Sequence, residues 1–188
     1  MHYILASASP RRQELLTKIT EDFKVVVSNF NEDIVEFNGD VEDYVKTLAE
    51  GKAKSVASQT DKDSIIIAAD TIVVIDDKIL GKPKDENDAY NMLKLLSNKI
   101  HRVYSGVSVI NTTNNIMKSE AIFTEVKFSE LTHDDIVNYI NSKEPLDKAG
   151  AYGIQGLGAL FVEKINGCYY NVVGLPLNAL NKIIKEVI

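Results

Sequence analysis

One cysteine, Cys168, occurs in 188 residues, so the chain forms no internal disulfide and its composition fits a reducing cytoplasm. The three histidines, His2, His101 and His133, are far apart and lack metal-ligand spacing, which argues against a zinc site built on Cys and His. No stretch approaches the roughly 20 apolar residues of a membrane span. The run Tyr3 to Ala6 is too short for a signal-peptide core and is followed by Arg11-Arg12. Positive charge is in deficit: 21 Lys+Arg face 27 Asp+Glu, a net charge of -6 that repels duplex nucleic acid. Internal repeats, low-complexity tracts and domain-length linkers are absent. What remains is 45% hydrophobic and 26% charged, close to the globular average, which excludes disorder, collagen-like and coiled-coil readings. A single domain over residues 1–188 should bury roughly 70% of its unfolded surface.

The spacing predicts a mixed α/β protein. Tyr3 to Ala6 reads as a buried strand, and Ser9 as the N-cap of a helix with Pro10 at its first position, running to about Ile19. Phe23 to Val27 reads as a second strand. Tyr44, Val45, Leu48, Ala49, Ala53, Val56 and Ala57 recur at helical spacing from Val41 to about Ser58. Ser64 to Ala69 is an apolar strand ending at Asp70-Thr71, and Ile72 to Ile75 continues extended. Asp85 with Asp88, and Thr132 with Asp135, each open a helix. Val103 to Ile110 and Ile116 to Phe128 alternate at period two, as a long hairpin does. A glycine-rich stretch, Gly150 to Gly158, precedes a hairpin turning at Asn166-Gly167 and a last helix from Pro176. The expected fold is a mixed β-sheet flanked by helices, divided into two lobes with an active-site cleft between them.

Five features could carry chemistry. Ser7-Ala8-Ser9-Pro10-Arg11-Arg12 puts two arginines in the first turn of a helix, where cations cost roughly 0.3 to 1 kcal/mol each unless an anion joins them. A phosphate is one remedy; water, or pairing with Glu14, is another. Lys52 shares a helical stripe with Leu48 and Val56, so its ammonium starts from the inward face, though its stem could snorkel outward. Asp70 closes an apolar strand, a place where carboxylates face ligand crevices or merely make turns. Lys82, in Gly81-Lys82-Pro83, could return a cation to the same crevice or lie exposed. The loop Gly150-Ala151-Tyr152-Gly153-Ile154-Gln155-Gly156-Leu157-Gly158 either brings backbone close to a ligand or makes bends, and Gln155 carries an amide with both donor and acceptor. Glu32 has no spacing signal of its own.

Leu5-Ala6-Ser7-Ala8-Ser9-Pro10-Arg11-Arg12, Ala69-Asp70-Thr71-Ile72-Val73, Leu80-Gly81-Lys82-Pro83, Asp147-Lys148-Ala149-Gly150-Ala151-Tyr152-Gly153-Ile154-Gln155-Gly156 and Val172-Val173-Gly174-Leu175-Pro176 together closely resemble the Maf family of nucleoside triphosphate pyrophosphatases, over nearly the whole chain. Three positions side with its dTTP/UTP branch: Arg11 where the other branch commonly has an aromatic, Thr71 where it has Gln, and Gln155 where it has Glu. Two departures stand out. Gly51 replaces the usual Glu before Lys52, and Asn98 replaces the usual Gly after Ser97, at a helix end where Asn tolerates the left-handed conformation.

The resemblance implies cleavage between the α- and β-phosphates, a divalent cation (Mg2+ or Mn2+), and frequently a homodimer. Ser7, Ser9, Arg12, Lys52 and Lys82 would cradle the triphosphate, Glu32 and Asp70 would hold the metal, and Asp70 would serve as general base. Arg11, Thr71 and Gln155 would select the base. Modified pyrimidine nucleotides, kept from incorporation, are a further substrate class. A role as nucleotide-binding regulator of cell division or septum formation is the alternative attached to the same family.

Overall fold

The computed structural model describes residues 2–60 and 63–188. Its strands are β1 (His2–Leu5), β2 (Phe23–Val25), β3 (Ser64–Ile75), β4 (Lys78–Leu80), β5 (Ile100–Asn111), β6 (Ile116–Phe128) and β7 (Val162–Asn166). The helices are α1 (Pro10–Leu16), α2 (Val41–Ala57), α3 (Glu86–Leu96), α4 (His133–Asn141), α5 (Tyr169–Val173) and α6 (Leu177–Val187). One seven-stranded sheet has the order β2-β1-β3-β5-β6-β7, with β4 paired to β3. Parallel pairs (β1 with β2 and β3) and antiparallel pairs (β3 with β4, β6 with β7) make it mixed, as expected. No helix among the described residues is long and apolar enough to cross a membrane.

The chain divides into two compact units. The first holds the chain up to Thr71, with Ser105–Ile122 and Gly174–Ile188. Parallel pairing sets Ile4 against Ile66 and Leu5 against Ile67, and every residue from Ser64 to Asp70 is buried, the mark of a strand covered on both faces. Ile66 and Ala68 project from one face into a cluster with Ile4, Ala6, Ile110 and the α2 residues Ala53 and Val56. Strand alternation puts Asp70 on that same face, next in line toward α2. Gly106 allows the helix to approach, because a Cβ there would lie 2.0 Å from the Val45 carbonyl oxygen.

The second unit comprises Ile72–Tyr104 and Phe123–Val173. Its core gathers Val73, Ile75, Leu93, Leu96, Tyr139, Tyr152 and Phe161 around the fully buried Phe128. The Thr132–Asp135 pair forms a complete capping box on α4. On α3 the box is offset: Asp85 accepts from the Asp88 amide, but Asp88 reaches back to the Lys84 amide. Asn98 takes the left-handed conformation expected of it, at φ 56°.

Four expectations need correction. β2 stops at Val25, and α1 stops at Leu16, where Thr17 closes it with a bond to Gln13. Asp70 does not end its strand; β3 runs through it unbroken to Ile75. No hairpin turns at Asn166-Gly167. Gly167, at φ +131°, backs onto Thr124, whose hydroxyl accepts from the Cys168 amide and donates to its carbonyl. The chain then coils into α5 because Asn171 is buried and donates to the Val103 carbonyl and the Thr124 hydroxyl.

Candidate functional site

The turn between β1 and α1 places Ser7, Ser9, Arg11 and Arg12 together in the first unit. Ser9 is the N-cap by backbone geometry, but its side chain makes no cap; the Ser7 hydroxyl instead accepts from the Ser9 amide. At Arg12 the cation at the helix start is answered by protein oxygens. Arg12 donates from Nε to Gly174 O (2.9 Å), from Nη1 to Ala69 O (2.7 Å) and Ser7 Oγ (3.3 Å), and from Nη2 to Thr71 Oγ1 (3.0 Å). These bonds commit four of the five guanidinium N–H donors, so Arg12 clasps the serine turn, β3 and Gly174 together. Gly174, at φ +124°, is a position that suits only glycine. Burial lowers the pKa of Arg12, and the negative field of Asp70 opposes that shift. The Thr71 hydroxyl is held between Arg12 and Ser105, with Ser105 Oγ 2.9 Å away.

Lys52 resolves the other way from snorkelling. Its side chain is 14% exposed, and Nζ lies 2.5 Å from Asp70 Oδ1 and 3.0 Å from Glu32 Oε1. The inward stripe of α2 thus carries an ammonium to the one buried acid on the facing strand, a charge that burial would penalise if unpaired. Glu32, 54% exposed, comes from a loop and was invisible to periodicity. The loop is fastened along α2: Asn29 Oδ1 accepts from Ser55 Oγ, the Phe30 ring covers Gly51, and Asn31 caps the short 3-10 turn Glu32–Ile34. A Cβ on Gly51 would fall 2.3 Å from the Phe30 ring, which is the packing reason for a glycine inside this helix.

Two carboxylates converging on one ammonium form the donor set for a hard divalent cation. Mg2+ is commonly held by one or two carboxylates plus substrate phosphates. Asp70 and Glu32 therefore fit such an ion, although no group of three or more His, Cys, Asp or Glu side chains with that geometry occurs among the described residues. The local field is negative: the Tyr44 phenol pKa is raised by burial and then by Asp70, Glu32 and Asp33, with Lys52 opposing. A groove of about 520 Å³ in the same unit, lined by Phe30, Ile34, Tyr44, Thr47, Gly51 and Lys54 among others, includes none of Ser7, Arg12, Lys52 or Asp70.

The second unit carries the other two predicted residues. Lys82 is exposed in the turn after β4, and that turn is tied to the glycine-rich segment because the Gly150 amide donates to Gly81 O (3.0 Å). Gln155 is exposed at the tip of a turn. The glycines around it approach protein side chains: Cβ atoms at Gly153, Gly156 and Gly158 would collide with Lys148, Glu144 and Tyr139 respectively. Glu144 escaped the sequence reading because it stands outside the glycine-rich stretch.

A family model described as Maf-like protein matches residues 2–187. The chain is 59% identical to a dTTP/UTP pyrophosphatase of Clostridium novyi, covering 100% of this chain and 98% of that one. It is 58% identical to a dTTP/UTP pyrophosphatase of Clostridium beijerinckii over the full length of both. A HAM1 protein from Coxiella burnetii shares the fold, with a TM-score of 0.53 and 14% identity over 99% of each chain.

Proposed function

Given that the chain belongs to the Maf family, we propose that it is a nucleoside triphosphate pyrophosphatase that hydrolyses dTTP and UTP to the monophosphate and pyrophosphate. The observation that carries this reading is Lys52 set between Asp70 and Glu32, a cation and two acids assembled at one place on the inward face of α2. Asp70 acts as general base: its carboxylate takes a proton from water as the water oxygen attacks the α-phosphorus. The bond from that phosphorus to the α,β-bridging oxygen breaks, and pyrophosphate leaves with the bridging oxygen. Lys52, Lys82, Ser7 and Ser9 donate to phosphate oxygens, and Arg12 adds charge with its remaining N–H while holding the serine turn in place. Asp70 and Glu32 would hold a divalent cation, Mg2+ or Mn2+, which when bound offsets negative charge on the triphosphate.

Base choice falls to Arg11, Thr71 and Gln155. Thymine and uracil present two carbonyl acceptors around an N3–H donor, a pattern that an amide matches. Cytosine puts an amino donor where uracil has a carbonyl and leaves a donor unpaired, at a cost of about 1 to 3 kcal/mol or roughly 5- to 150-fold. The reading includes a cytoplasmic location and a homodimer, the latter checked by sedimentation. The deciding assay is a panel of nucleoside triphosphates with Mg2+, followed for pyrophosphate against orthophosphate. Orthophosphate as the sole product, or a preference for purines, overturns the reading.

A further inference from the structure

The glycine-rich segment around Gln155 is organised by a single carboxylate that lies outside it. Glu144 Oε1 accepts from the Tyr139 hydroxyl (2.8 Å) and the Gly158 amide (3.4 Å), and Oε2 accepts from the Leu157 amide (2.9 Å). The Tyr139 oxygen in turn accepts from the Gly153 amide (3.0 Å). Gly153 lies two residues before Gln155 and Leu157 two residues after, so both ends of the turn that displays the Gln155 amide are anchored to one phenol–carboxylate pair. Amide donors to an ionised carboxylate make charge-assisted bonds, about twice as strong as neutral ones.

The spacing of the glycines follows from this clamp. A Cβ on Gly156 would sit 2.3 Å from Glu144 Oε2. One on Gly158 would meet Gly153 O at 2.7 Å and the Tyr139 hydroxyl at 2.8 Å, and one on Gly153 would meet Lys148 Cε at 2.7 Å. Lys148 closes the underside, donating to Glu144 O (2.6 Å) and Asp147 Oδ1 (2.6 Å). The amides of Gly153, Leu157 and Gly158 are therefore spent on Tyr139 and Glu144 and are not offered to a ligand. Gln155 is exposed at this turn.

We propose that Glu144, acting with Tyr139, is a positioning residue for base selection: it holds the Gln155 turn in the conformation that matches a pyrimidine with two carbonyls. This rests on the reading that Gln155 contacts the base. The test compares kcat/KM for dTTP and CTP in wild type, Glu144→Gln, Gln155→Ala and the double variant. Glu144→Gln removes the charge but keeps the volume. It should lower the dTTP-over-CTP ratio by roughly 5- to 20-fold, mainly through a higher KM for dTTP, with kcat within about threefold. In the Gln155→Ala background the same substitution should change the ratio by less than about twofold, because the amide it positions is gone. A Glu144→Gln ratio equal to wild type, while Gln155→Ala lowers it, overturns the positioning role and leaves the base-reading role standing. An unchanged ratio in Gln155→Ala overturns both. If Glu144→Gln does not fold, Tyr139→Phe removes only the hydroxyl and is judged by the same ratios.

Discussion

Two carboxylate centres in this molecule are neutralised in opposite ways. Asp70 and Glu32 share the ammonium of Lys52, a point charge on a flexible stem. Glu144 is satisfied by two backbone amides and a phenol, all fixed by the fold. A lysine can exchange carboxylates for phosphates and a metal can take its place, so the first centre is arranged to change partners. Backbone amides cannot move without unmaking the loop, so the second is arranged to stay. In the proposed reading, one serves the chemistry and the other holds a recognition surface.

The strongest way to break that contrast is Asp70→Asn, which keeps the shape and removes the proposed base. Turnover should fall roughly 100- to 10,000-fold with the melting transition near wild type; near-normal turnover would mean that the first centre is structural too. Lys52→Ala should raise KM or lower turnover by roughly ten- to a hundredfold. Because Nζ pairs with a buried aspartate, it should also lower stability by up to about 3 kcal/mol. A variant that only melts earlier, with kinetics intact, would assign Lys52 to charge neutralisation alone.

Acid should destabilise the protein through a buried histidine of the second unit. His101 is buried, its Nε2 2.8 Å from the Tyr152 hydroxyl, and burial pushes its pKa down from 6.5 to about 4. The unfolded chain takes up a proton below pH 6.5 that the folded protein refuses until about pH 4. The contribution of His101 is therefore complete above pH 6.5 and is lost as pH falls toward 4, by at most about 3 kcal/mol. Denaturant titrations across that window should show a shallower slope in His101→Phe than in wild type.

Gly51→Ala separates the loop from the site. The added methyl must displace the Phe30 ring, costing about 1 to 3 kcal/mol. Since Glu32 follows two residues later, the Mg2+ concentration for half-maximal activity should rise by about tenfold. An unchanged Mg2+ requirement would remove Glu32 from the proposed metal site. The smallest expected effect is between dTTP and UTP, whose kcat/KM values should differ by less than about tenfold, the scale of one methyl group.

Much of this was legible because it is local. The Thr132–Asp135 capping box, the turn at Asn98 and the inward stripe of α2 all depend on residues within one or two turns of each other. Lys52 stood out as a charge on an apolar stripe and Asp70 as an acid beside an apolar run. Glu32 did not, because its place at the site comes from Phe30 on Gly51 and Asn29 on Ser55, contacts between a loop and a helix. Gly167 misled because its left-handed backbone serves a hairpin turn or a strand-to-helix break equally well. Contacts with Val103 of β5 and Thr124 of β6 select the helix.

Sequence alone determined the mixed α/β composition, the helical and extended periods and the residues rich in chemistry, since each follows from side-chain spacing along one segment. Tertiary structure decided which of those residues meet. Arg12 reaches Gly174 across 162 positions of chain, and Glu144 reaches Leu157 across 13. Such pairings are set by how strands and loops pack, with backbone amides and carbonyls as partners, and backbone groups leave no mark in the identity of the residues that carry them.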